Sequence, residues 1–82
     1  MDLARDPKQI GNLIRRARKN RELNQKQLGD KVGLRQATIS QIENGHPATR
    51  VDNLLAILAA LDLELQVAER SKGWDQELER SF

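Results

Sequence analysis

Apolar positions in this chain recur at two different periods, and the change between them divides it. Ile10, Leu13, Ile14 and Ala17 stand at i, i+3, i+4 and i+7, the spacing that lines one face of an α-helix. Asp6 before Pro7 offers an N-cap acceptor followed by proline at the first helical position, so a first helix is predicted from Pro7 to near Asn20. Its other faces carry Arg15, Arg16, Arg18 and Lys19. Asn24 can cap a second helix from Gln25 to about Val32, with Leu28 and Val32 inward. Gly33 then stands where a left-handed residue commonly ends a helix. After Leu34 and Arg35 a third helix is predicted from Gln36 to about Asn44, with Ile39 and Ile42 inward and Asn44-Gly45 as its stop. Two short helices meeting at a tight turn that contains glycine form the helix-turn-helix pattern.

Past the loop at His46-Pro47-Ala48, Thr49 and Asp52 open a fourth helix with a capping-box-like pair. Val51, Leu54, Leu55 and Leu58 form its predicted core stripe, while Ile57 and Leu61 fall on a second face. Two apolar faces on one helix of so small a protein imply burial against another subunit. Beyond Asp62 the period drops to two: Leu63, Leu65 and Val67 alternate with Glu64, Gln66 and Ala68, which predicts a half-buried strand. The other reading, a continued fourth helix, loses the 3.6-residue spacing. A lone strand exposes an unpaired edge, so pairing with the same strand of a second copy across a two-fold axis is expected. The expected architecture is therefore all-α, a four-helix bundle with a short C-terminal β-strand that pairs across a homodimer. Residues 1–6 form an arm, 7–62 the helical domain, 63–69 the dimerisation strand and 70–82 a flexible tail of mixed charge.

Composition narrows the function classes. The chain has 82 residues, no cysteine and one histidine, so disulfides, thiolate metal sites and imidazole clusters are all out of reach. No metal and no cofactor are expected. The longest apolar run, Leu54 to Leu61, falls far short of the roughly 18 residues a membrane span needs. The first residues lack the basic stretch and apolar run of a secretory signal, so a cytoplasmic location is expected. Net charge is +2, but residues 1–50 hold eleven Lys/Arg against five Asp/Glu, and residues 51–82 hold three against seven. A basic front suits a polyanion and an acidic rear suits a different partner, although solvated helix surface accounts for charge alone equally well.

The third helix carries the chemistry. Opposite Ile39 and Ile42 it presents Gln36, Ala37, Ser40, Gln41 and Asn44, with Arg35 at its entry, a neutral hydrogen-bonding face with one small apolar residue. Such a face fits a DNA major groove, where Gln pairs bidentately with adenine, Arg with guanine, and Ala touches a thymine methyl. An ordinary solvated helix face would be richer in Glu and Lys. Gln25 opens the second helix, where free backbone N–H groups and the helix dipole favour an anion. With Asn24, Lys26, Arg21 and Asn44 it makes the expected phosphate-contacting set; phosphate contacts fix register and base contacts fix sequence. Glu43, against the basic trend, is expected to pair with Arg18 and tie the third helix to the first. No catalytic group is expected, since Glu43, Ser40 and His46 have no partners that would complete a reaction centre. Single-stranded nucleic acid is disfavoured because residues 1–73 contain no aromatic platform for bases.

The run Gln25 to Gly45, QKQLGDKVGLRQATISQIENG, resembles the Xre-type helix-turn-helix family, which includes the lambdoid phage repressors. The shared features are Asn24-Gln25, Leu28, Gly33, Ala37, Ile39, Ile42 and Glu43-Asn44-Gly45, and similarity extends over roughly residues 7–62. The resemblance implies a lambda-repressor-like bundle. It also implies a phosphate contact at Gln25, base contacts at Arg35, Gln36, Ala37, Ser40 and Gln41, and an Arg18–Glu43 pair. Leu34 to Ser40, together with a strand following Leu61-Asp62-Leu63-Glu64-Leu65, is most similar to the HipB-type antitoxins, where typical family members have a fifth helix. That subgroup pairs C-terminal strands in a dimer, bends operator DNA and holds a HipA-type serine/threonine kinase toxin.

The leading expectation is thus an autorepressing antitoxin bound to a pseudo-palindromic double-stranded operator. Ile57, Leu61, Leu63, Leu65 and Val67 are its expected dimer interface, and Trp74 and Phe82 candidate toxin contacts. A stand-alone phage or restriction-modification regulator, and a protein-interaction module that has lost DNA, are the alternatives.

Overall fold

The computed structural model of the chain describes residues 3–70. Four helices follow one another: α1 (Pro7–Asn20), α2 (Gln25–Val32), α3 (Gln36–Glu43) and α4 (Val51–Ala60). The Asp6 carboxylate accepts the Gln9 N–H at 2.8 Å and starts α1. A full capping box starts α2: Asn24 Oδ1 accepts the Gln27 N–H at 2.7 Å, and Gln27 Oε1 accepts the Asn24 N–H at 2.8 Å. The box expected at α4 does not form. Arg50 is the N-cap there and makes no side-chain cap bond; Thr49 Oγ1 donates to the His46 carbonyl, and both Asp52 oxygens accept from Arg50.

Gly33 closes α2 with φ of 73°, a left-handed conformation only glycine adopts without strain. The Leu34 N–H then donates back to the Gly29 carbonyl at 2.9 Å and folds the chain directly into α3. This turn sets α3 against α2. Ile14, Leu28, Ile39, Ile42, Ile57 and Leu61 make the buried core, flanked by partly buried Ile10, Ala17, Leu23, Val32, Leu34, Leu54 and Leu58. Helix α2 packs on both α3 and α4, and α1 packs on α3.

Two sequence-based expectations need correction. Ile57 and Leu61, assigned to a dimer interface, are fully buried in the chain's own core, while Val51 and Leu55, assigned to the core stripe, are 66% and 44% exposed. Leu54, Ile57, Leu58 and Leu61 themselves form an i, i+3, i+4, i+7 set, and packing on α2 selects that register over the one begun at Val51. The strand expected over 63–69 is likewise not formed. Among the described residues no strand exists, and residues 63–70 are exposed, without helix or ladder. Alternation makes a segment two-faced, but a ladder needs a mate, and none of the described residues supplies one. Leu63, Leu65 and Val67 remain exposed apolar side chains.

Candidate nucleic-acid interface

With Ile39 and Ile42 buried, α3 turns its polar side outward: Gln36, Ala37 and Gln41 are exposed, Ser40 half-buried, and Arg35 exposed at the helix entry. None of the Arg35, Gln36, Ser40 or Gln41 side chains hydrogen-bonds to another described residue. In water these groups are solvated, and in a groove they are free to take up base edges.

The neighbouring edge is built differently. Glu43, at the last turn of α3, is 1% exposed, and its carboxylate gathers donors from two other elements. Arg18 of α1 grips it with both ends of its fork, Nε to Oε2 at 2.6 Å and Nη2 to Oε1 at 3.0 Å, while Arg18 Nη1 donates to the Leu23 carbonyl at 2.8 Å. Gln25 Nε2, at the start of α2, donates to Oε1 at 3.2 Å, and Arg15 Nε donates to the same oxygen at 3.4 Å. Arg15 Nη2 goes on to Asn44 Oδ1 at 3.0 Å. Burial alone would push the Glu43 carboxyl up; the bonds from Arg18, Gln25 and Arg15 and the Arg18 charge outweigh it and hold it below the ordinary glutamate value. The bonds that Arg18 donates to Glu43 raise Arg18 further against its own burial. Among the described residues no buried side-chain polar atom lacks a partner.

Of the residues expected to touch phosphate, Gln25 therefore reaches Glu43 directly and Asn44 is joined to the cluster through Arg15, while Asn24, next to Gln25 in the chain, is tied into the α2 cap. Lys26 is exposed and pairs with Asp30 one turn on, at 3.1 Å. Arg21 does not join the cluster: its guanidinium lies 3.8 Å from Asp62, past the end of α4. Trp74 and Phe82 lie outside the described residues. Sequence reasoning missed Arg15, although its i, i+3 spacing from Arg18 puts both on one helix face. It also missed Gly11. A Cβ there would meet the Ile42 carbonyl oxygen at 2.6 Å and the Glu43 carbonyl oxygen closer still, so glycine is what lets α1 approach the end of α3. A glycine inside a helical pattern was the available signal.

The helix-turn-helix family model matches residues 14–67. The chain is 37% identical over 79 residues to the ImmF control region 10 kDa protein of Bacillus phage phi105, covering 87% of each. It is 28% identical over 74 residues to the antitoxin HipB of Escherichia coli K12, covering 90% of this chain and 84% of that one. A solved HipA-HipB-O2-O3 complex superposes with a TM-score of 0.79 at 28% identity, over 87% of this chain and 100% of the matched one. The chain belongs to the Xre-type helix-turn-helix family of DNA-binding regulators and, within it, resembles the HipB antitoxins.

Proposed function

We propose that the chain is a sequence-specific repressor that binds double-stranded DNA as a homodimer, and that it is an autorepressing antitoxin for a HipA-type serine/threonine kinase toxin. The observation that carries the reading is the contrast on one surface between the unpartnered polar face of α3 and the tied donors beside it. Groups fixed by Glu43 suit phosphates, which set register, and the unpaired Arg35, Gln36, Ser40 and Gln41, with Ala37, suit base edges, which set sequence. Two copies would place their α3 helices in successive major grooves of a pseudo-palindrome. The exposed Leu63, Leu65 and Val67 supply apolar surface for the second copy. Occupying a promoter excludes polymerase, and the cytoplasm is where such a regulator acts.

The phage control protein, at 37% identity, favours a second reading: a stand-alone regulator with no toxin. A kinase-like reading frame beside this gene supports the antitoxin role; its absence supports the phage-type one. The DNA reading is tested by a mobility shift on the region upstream of the chain's own gene. Gln36→Ala and Ser40→Ala should each cost about 1–3 kcal/mol and loosen sequence preference. Gln25→Ala should weaken all sequences alike, with a shallower salt dependence. A shift indifferent to Gln36→Ala and Ser40→Ala rejects the groove assignment.

A further inference from the structure

We propose that Arg15 is a phosphodiester-binding residue, the cation that seats a DNA phosphate at the edge between α2 and α3. The inference rests on the reading that duplex DNA is the partner, and it follows from how one carboxylate is shared.

Glu43 brings a single negative charge to two guanidinium groups. Arg18 already answers it: the bond is bidentate, the Arg18 side chain is only 8% exposed, and its third contact is a backbone carbonyl. Arg18 is wholly committed to the fold. Arg15 is not. Its contact with Glu43 is the longest of the set at 3.4 Å, and its side chain is 39% exposed. The cluster therefore carries an excess positive charge, and that charge sits on the arginine that faces solvent.

What Arg15 holds matters as much as its charge. By donating to Asn44 Oδ1 at 3.0 Å it engages the carbonyl end of that amide, leaving the Asn44 NH2 group to donate elsewhere. Gln25 is held in the same sense: one N–H of Nε2 goes to Glu43, and the other is left over. Arg15 retains N–H groups beyond the two it uses. Arg15 of α1 and Gln25 of α2 thus converge on one carboxylate, and Asn44 at the end of α3 joins them through Arg15, each with a donor to spare around a surplus cation. A planar guanidinium flanked by amide donors is the arrangement that recognises a phosphate oxygen through charge-assisted hydrogen bonds. Because Arg18 keeps Glu43 paired, loss of Arg15 leaves no buried charge alone, so binding and folding separate at this residue.

The experiment measures binding of a fluorescent duplex, one the wild-type chain binds, by anisotropy across a salt series. Wild type, Arg15→Gln and Arg15→Lys are compared, with a urea unfolding midpoint for each. The expected result for Arg15→Gln is lower affinity on every sequence alike and a slope of log K against log salt shallower by about 0.9 per protomer, the loss of one phosphate contact. Its unfolding midpoint should stay near wild type, and Arg15→Lys should restore most of the slope. An unchanged slope for Arg15→Gln on a duplex that wild type binds overturns the proposal and leaves the DNA reading standing. A midpoint that falls in step with affinity also overturns it, by making Arg15 a structural residue. Failure of wild type to bind any duplex removes the DNA reading and this proposal together.

Discussion

Glu43 shows what a single side chain can organise. A buried carboxylate with no partner would take up a proton; here three side chains answer it from α1 and α2, and it stays charged. Its carboxyl is held below the ordinary glutamate value, so the sign of its contribution is fixed: full above the unfolded value of about 4.3, and lost as pH falls through the folded value. Wild type should therefore lose stability in acid, as a fall in the urea midpoint below about pH 4.3. Glu43→Gln should start from a lower midpoint at neutral pH and fall less steeply. Parallel profiles would mean that Glu43 is not the group responsible. Arg18→Ala is the harsher change, since it strips the main partner from a buried charge, and should cost about 3 kcal/mol or more. This pair was legible in the sequence, as an acid against a basic trend. Arg15 was not singled out, because only the end of α3 shows which of several arginines on α1 reaches it.

Among the elements, α1 to α3 follow from local signals. Asp6-Pro7, Asn24 and Gly33 are chemical instructions that neighbouring residues can obey without help from the rest of the fold. Helix α4 is different: apolar residues surround it, two registers of its core stripe compete, and α2 decides between them. The strand expectation failed for the related reason that a ladder is a property of two segments. Gly11 gives a test of how closely elements approach. In an open helix, glycine to alanine gains about 1 kcal/mol. At this position the new Cβ would press on the backbone carbonyls of α3, which cannot turn away as a side chain can. Gly11→Ala should instead destabilise by about 1–3 kcal/mol in thermal or urea unfolding. A stabilised variant would show that α1 and α3 are not held so near.

For the whole molecule, the surface divides by chemistry. The α3 face offers unpaired polar groups, and the edge beside it carries the Arg15 charge. Val51, Leu55 and the segment from Leu63 to Val67 leave apolar groups exposed elsewhere. A chain of this length buries only about 60% of its unfolded surface, so covering those groups with a second copy would stabilise both. Leu65→Asp should shift sedimentation from dimer to monomer; a fully dimeric variant would place the seam elsewhere, with Val51 and Leu55 the next surface to change. The exposed polar face of α3 was legible in the sequence as a run of neutral polar residues opposite Ile39 and Ile42, but the seam for a second copy was not, since a single chain's pattern does not say where a copy would sit.

Everything turns on whether the outward side of α3 touches base edges. Selection of bound duplexes from a random pool measures this directly, with no operator chosen in advance. The wild-type chain should enrich a two-fold-symmetric sequence whose half-sites lie about 10 bp apart, or a small multiple of that. Gln36→Ala and Ser40→Ala should each lose preference at one symmetry-related pair of positions. Enrichment of no motif, or of the same motif by wild type and both variants, would contradict the account.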